Sequence, residues 1–224
     1  MNRLHSELQR LYRLDATASG PAPAQADEPV HAMVLTLSKP ADWATLSAVW
    51  QGVQSELDLP APAIAVSGVD GYQLWFSLAQ PRPAAQAMGF LEALRRRYLP
   101  EVARDRVGLS VSPPTVPAQQ AQPDHWSAFV APDLAPVFAD TPWLDIPPNP
   151  DGQADLLARL HSIKPADWQR ALAELQPVQK AGADVASSAS TRSPHAFLLS
   201  VMNDEALDLS LRIQAAQALL PYVS

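Results

Sequence analysis

The chain has 224 residues, 47% of them hydrophobic and 17% charged, with a net charge of −7 and no cysteine. That length holds one large domain, or a medium one with appendages. The charge argues against broad, non-specific DNA binding, which runs on Lys and Arg contacts to phosphate, and the missing cysteines exclude a disulfide framework, a zinc finger and a thiol nucleophile.

Residues 1–14 read as an amphipathic helix, with Leu4, Leu8 and Leu11 on one stripe and Arg3, Glu7, Arg10 and Arg13 around it. It is too short to be stable alone and must dock. Residues 15–29 are Ala/Pro/Ser-rich and read as a linker. Residues 30–38 are apolar and strand-like. Lys39-Pro40-Ala41-Asp42 then opens a helix, with Ser38 as its expected N-cap and Trp43, Leu46, Trp50, Val53 and Leu57 as its stripe. Leu59-Pro60-Ala61-Pro62 stops it. Residues 64–66, a turn at 68–71 and residues 72–78 predict a hairpin. Pro83 begins a second helix that buries Ala87, Phe90, Leu91, Leu94 and Tyr98, and residues 107–111 form a further strand. The order β-α-β-β-α-β predicts an α+β fold with an RRM-like or ferredoxin-like core.

Residues 113–124 are Pro/Gln-rich and read as a loop; 126–130 add a strand and 133–139 a short helix. Residues 142–148 read as an irregular segment pinned by Trp143. The α+β domain is thereby set at 30–148. A helical extension follows at 149–176, with helices near 151–162 and 165–176. Lys164-Pro165-Ala166-Asp167-Trp168 echoes Lys39-Pro40-Ala41-Asp42-Trp43, two similar helix starts rather than a repeat. Residues 177–193 read as a second linker and 194–224 as a C-terminal helical pair. No apolar run is long enough to span a bilayer, and no apolar leader follows Met1. A cytoplasmic location with no membrane partner is expected.

Alternation places Gln73, Trp75 and Ser77 on one face of their strand and Tyr72, Leu74, Phe76 and Leu78 on the other. An open first face would offer Trp75 for stacking on a base; a face covered by the C-terminal helices would make Trp75 core. Thirteen of the 16 basic residues are Arg, densest at Arg95-Arg96-Arg97. That run reads either as a phosphate contact or as the solvated face of a helix. Gly68 to Gly71 is a turn signal first; it is short and lacks the Lys of a P-loop. His5, His31, His125, His161 and His195 show no ligand spacing, so no metal site is expected. Asp140, Asp145 and Asp151 read as caps and turn residues.

Three segments carry a family resemblance. They are Val34-Leu35-Thr36-Leu37-Ser38, then Ser67-Gly68-Val69-Asp70-Gly71-Tyr72-Gln73-Leu74-Trp75-Phe76, then Pro81-Arg82-Pro83-Ala84-Ala85-Gln86-Ala87. Over residues 30–112 the chain resembles the archaeo-eukaryotic primase superfamily, particularly the primase-like domains of bacterial mobile elements. The family's two metal-binding Asp on the first strand fall at Thr36 and Ser38, and its His falls at Gln73. Neutral hydroxyls are poor substitutes for carboxylates that must hold Mg²⁺ against phosphate. The resemblance therefore implies a degenerate domain with no catalytic residues, metal or cofactor. It implies binding of single-stranded nucleic acid, or of a replication partner, through Thr36, Ser38, Ser67, Gly68, Gln73 and Trp75, with Arg95, Arg96 and Arg97 adding charge. Residues 194–224 resemble a helical module of phage-derived bacterial proteins, which implies a protein partner there. Two alternatives stay open: an interaction scaffold with no nucleic-acid binding, and an active metal-dependent nucleotidyltransferase with relocated carboxylates. The mark of the second would be two of Asp70, Asp105, Asp124 and Asp145 converging near Gln73.

Overall fold

The strands expected from alternation are all present in the computed structural model, which describes residues 2–14, 25–38 and 40–175. They are β1 (Pro29–Ser38), β2 (Ala63–Val66), β3 (Gly71–Pro83), β4 (Val107–Ser110) and β6 (Trp126–Val130); a two-residue strand, β5 (Ala118–Gln119), forms inside the expected 113–124 loop. They build one six-stranded sheet in the order β4-β1-β3-β2-β6-β5, with every neighbouring pair antiparallel. The fold is mixed α+β. Among the described residues five α-helices complete it: α1 (Arg3–Tyr12), α2 (Trp43–Ser55), α3 (Ala84–Tyr98), α4 (Pro150–Ala158) and α5 (Pro165–Leu175). None of the described helices is long and apolar enough to cross a membrane.

Helix starts follow local chemistry. Asn2 caps α1 by accepting from the Leu4 N–H, and Asn149 caps α4 by accepting from the Asp151 N–H, with Pro150 at the first helical position. Ser38 does not cap α2. It pairs with Gly71 as the last residue of β1, and the cap is Asp42, whose carboxylate accepts from the Thr45 N–H and hydroxyl. The α3 start has only Pro83 before it, which supplies no side-chain acceptor. Its free N–H groups are taken by backbone instead: Ala84 donates to Glu28 O and Ala85 to Ala26 O, both at 2.9 Å. This use of residues 26 and 28 ties the end of the expected linker to the fold; residues 15–24 lie outside the described part.

The sheet is buried on both faces, so β3 reads as a continuous buried run from Gly71 to Leu78. On one face Leu35, Leu37, Tyr72, Leu74 and Phe76 pack with α2, α3 and α5. Phe90 stacks on Trp168 there at 4.4 Å. On the other face Ala32, Val34, Ala65, Trp75 and Phe129 pack beneath α1 and α4. Each fully buried large apolar side chain contributes about 1.5–3 kcal/mol. The helices at 149–176 are therefore parts of both cores rather than an extension. Residues Met1–Gln176 make one compact unit. The expected linker at 177–193 and helical pair at 194–224 lie outside the described residues.

Candidate functional site

Register brings the expected strand residues to one sheet face. Thr36 pairs with Gln73, Val34 with Trp75 and Ser38 with Gly71. The approach at Gly71 is so close that a Cβ would collide with the Leu37 carbonyl, so glycine is required there.

The face is not an open platform. Trp75 is 1% exposed and Gln73 is 7% exposed. Trp75 lies edge-on between Tyr12 of α1 and Phe129 of β6, with ring centroids 5.3 Å from each. Its Nε1–H donates to Gln73 Oε1 at 2.9 Å. The Ser77 hydroxyl bonds to Leu11 O at 2.7 Å and meets the Ser162 hydroxyl at 2.5 Å. A base has no aromatic surface to stack on here; of the two readings of Trp75, the buried one agrees with its 1% exposure. Among the described residues the covering elements are α1 and α4, and α4 is fixed over β6 by Gln153, which accepts from Phe129 N and donates to Phe129 O; the expected cover at 194–224 lies outside the described residues. Burial also drives the Tyr12 hydroxyl pKa far up, so that it stays neutral. Thr36 and Ser38, nearer the edge, remain half-buried.

Ser67 and Gly68 are spent on the turn itself. Gly68 has φ +79°, and its N–H donates to Pro142 O at 2.9 Å. The Ser67 hydroxyl oxygen accepts from the N–H groups of Val69, Asp70 and Gly71 at 2.9–3.1 Å. Those donors point inward and do not form a phosphate cradle.

The three arginines separate. Arg95 is buried and gives Glu92 a bidentate pair at 2.9 and 2.8 Å, which holds the Glu92 carboxyl below its usual range. Arg97 bonds Glu56 at 2.7 Å and the Glu174 carbonyl at 3.0 Å, lowering the Glu56 pKa and tying α5 to α3. Arg96 is exposed. A run that looks like one basic patch thus leaves Arg96 alone of the three both exposed and outside an ion pair among the described residues.

Among the described residues no group of three or more His, Cys, Asp or Glu stands close enough to hold a metal ion. Asp70 lies in the turn, Asp105 in a 3₁₀ turn before β4, Asp124 at φ +60° and Asp145 beneath the Trp143 Nε1–H. An apolar cleft of about 270 Å³ lies on the β2–β6 side, between Trp50, Ile64, Val130 and Leu156. Sequence reasoning did not find it, since its walls come from four distant segments. Compared with known proteins, the chain matches no protein-family model, and no curated protein resembles it significantly in sequence.

Proposed function

We propose that this chain is a non-catalytic, primase-like α+β protein that works by holding a protein partner rather than by laying nucleic acid on its sheet. The observation that carries this reading is the closure of the Gln73–Trp75 face under α1 and α4. Nucleic acid would have to displace both helices before reaching an aromatic ring. The internal pairing of Arg95 and Arg97 weighs in the same direction, as does the net charge of −7. A ferredoxin-like or RRM-like core is supported by the β4-β1-β3-β2 order within the β-α-β-β-α-β segment. The tie to a mobile or phage-derived element rests on the sequence resemblance alone.

The test is a titration of labelled single-stranded DNA at low and moderate salt, with wild-type protein and Arg96→Ala. Absence of binding at low salt is the expected result. Salt-sensitive binding that falls in the variant would overturn the reading and return nucleic acid to this protein.

A further inference from the structure

Four large apolar side chains are strongly exposed among the described residues: Val69 (51%), Leu134 (54%), Val137 (71%) and Ile146 (70%). The segments that carry them are tied to one another through the β2–β3 turn. Val69 is in the turn whose Gly68 N–H holds Pro142 O, four residues before Ile146. Leu134 and Val137 flank Ala135, whose carbonyl accepts the Tyr72 hydroxyl at 2.6 Å, and Tyr72 directly follows that same turn. The segments are also held in place. Leu134 N–H donates to Ala131 O, Val137 N–H to Leu134 O, and Trp143 stacks on His125 at 4.0 Å. Apolar groups displayed on a fixed backbone mark a contact surface, and the fixed backbone lowers the ordering cost of binding.

Charge identifies the occupant. From residue 107 to 158 the chain carries Asp124, Asp133, Asp140, Asp145, Asp151 and Asp155, and no Lys, Arg or Glu. Asp133, Asp140 and Asp145 interleave with the apolar residues and are exposed. None of these three is in an ion pair with a described residue. Negative charge around the patch repels nucleic acid, anionic membrane and a second copy of this acidic chain. It attracts a basic segment with its own apolar side chains.

We infer that the surface formed by Val69, Leu134, Val137 and Ile146, rimmed by Asp133, Asp140 and Asp145, docks a Lys/Arg-rich amphipathic helix of a partner protein. This rests on the reading that the chain holds a protein, and names the partner's chemistry and the surface it meets. The helix lays apolar side chains on the four exposed residues and its cations on the aspartates. The β4 side of the molecule, with Glu101 and Asp105, takes no part.

The probe is a fluorescent Leu/Lys amphipathic peptide of about 18 residues, roughly five helical turns, against a Leu/Glu peptide of equal length. Wild type binds the Leu/Lys peptide with salt-sensitive affinity and ignores the other. The double variant Val137→Ser/Ile146→Ser keeps the charge and weakens binding about tenfold. The triple variant Asp133→Asn/Asp140→Asn/Asp145→Asn also weakens it about tenfold and flattens the salt dependence. A control with the same charge change, Asp27→Asn/Glu101→Gln/Asp105→Asn, stays within about twofold of wild type. All these side chains are exposed, so thermal melts stay at the wild-type position and report folding separately. Equal weakening by the control, or an unchanged double variant, overturns the inference. A concentration-dependent dimer in sedimentation that the double variant abolishes also overturns it, by assigning the patch to a second copy. DNA binding in the earlier titration would fail the functional reading without altering these peptide outcomes.

Discussion

Trp75 and Trp168 are equally buried, at 1% exposure each, but differ in one atom's surroundings. Trp75 Nε1–H donates to Gln73, whereas Trp168 Nε1–H is buried with no acceptor among the described residues. Replacing Trp168 by Phe keeps an aromatic ring against Phe90 and removes an unsatisfied donor. Trp75→Phe leaves the buried Gln73 carbonyl unpaired, at about 1–3 kcal/mol. Chemical denaturation should therefore show Trp75→Phe to be the more destabilised of the two; the reverse order would mean that packing volume, not the hydrogen bond, dominates. Asp42 gives a second residue-scale prediction. Asp42→Ala should cost about 1 kcal/mol through loss of the α2 cap. The Thr45 bonds hold the Asp42 carboxyl below its ordinary 3.8. The cap's contribution is then complete above that ordinary value and disappears as pH falls through the lowered one. Denaturation curves of wild type and Asp42→Ala should converge in acid, and a gap that persists there would show that the cap acts without its charge. Alternation alone put Thr36, Gln73 and Trp75 on a common face, and the register agrees. What covers that face was not legible, because the covering residues lie more than 60 positions away on either side of Trp75.

At the scale of elements, the similar helix starts at 39–43 and 164–168 show where local reading stops. In the first copy Asp42 is the cap and Trp43 the first helical residue. In the second, Pro165 is the first helical residue and Trp168 lies within the first turn, its N–H donating to Lys164 O at 2.9 Å. The same letters enter the helix at different points because β1 runs directly into one copy, while the other follows an Ile163 bridge to β3. Element existence was readable from apolar spacing; entry register was set by the strand before it. The amphipathic stripe of α1 likewise predicted docking, and its partner proves to be α4. Arg10 donates to Leu157 O and Leu160 O at the α4 C-terminus, and Arg3 pairs with Asp155 at 2.7 Å. Leu11→Asp places a charge at a site 1% exposed, over Trp75 and Ser77. That variant should lose several kcal/mol of stability and bind a hydrophobic dye in the native baseline. A stable, dye-negative variant would mean that α1 is not needed to close the sheet.

Across the whole molecule, charge and packing divide differently. The paired arginines lie on α1, α3 and α5 and at Arg104, while the long stretch from residue 107 to 158 has no Lys or Arg. That asymmetry was legible in the sequence, but its meaning was not. Only the folded chain shows that the aspartates stand among exposed Val137 and Ile146 rather than at an acidic metal site.

The placement of α1 against α4 has a further consequence during synthesis. The ribosome makes α4 about 140 residues after α1, so through that interval α1 has no helix to rest against and the Trp75 side of the sheet has no roof. At roughly 5–20 residues per second this interval lasts several seconds or more. Nascent chains halted before residue 150 should therefore expose one continuous apolar strip, from the Leu4–Leu11 edge to Val34 and Phe129, and recruit holdase chaperones. Chains halted far enough beyond residue 175 for α5 to clear the exit tunnel should release them.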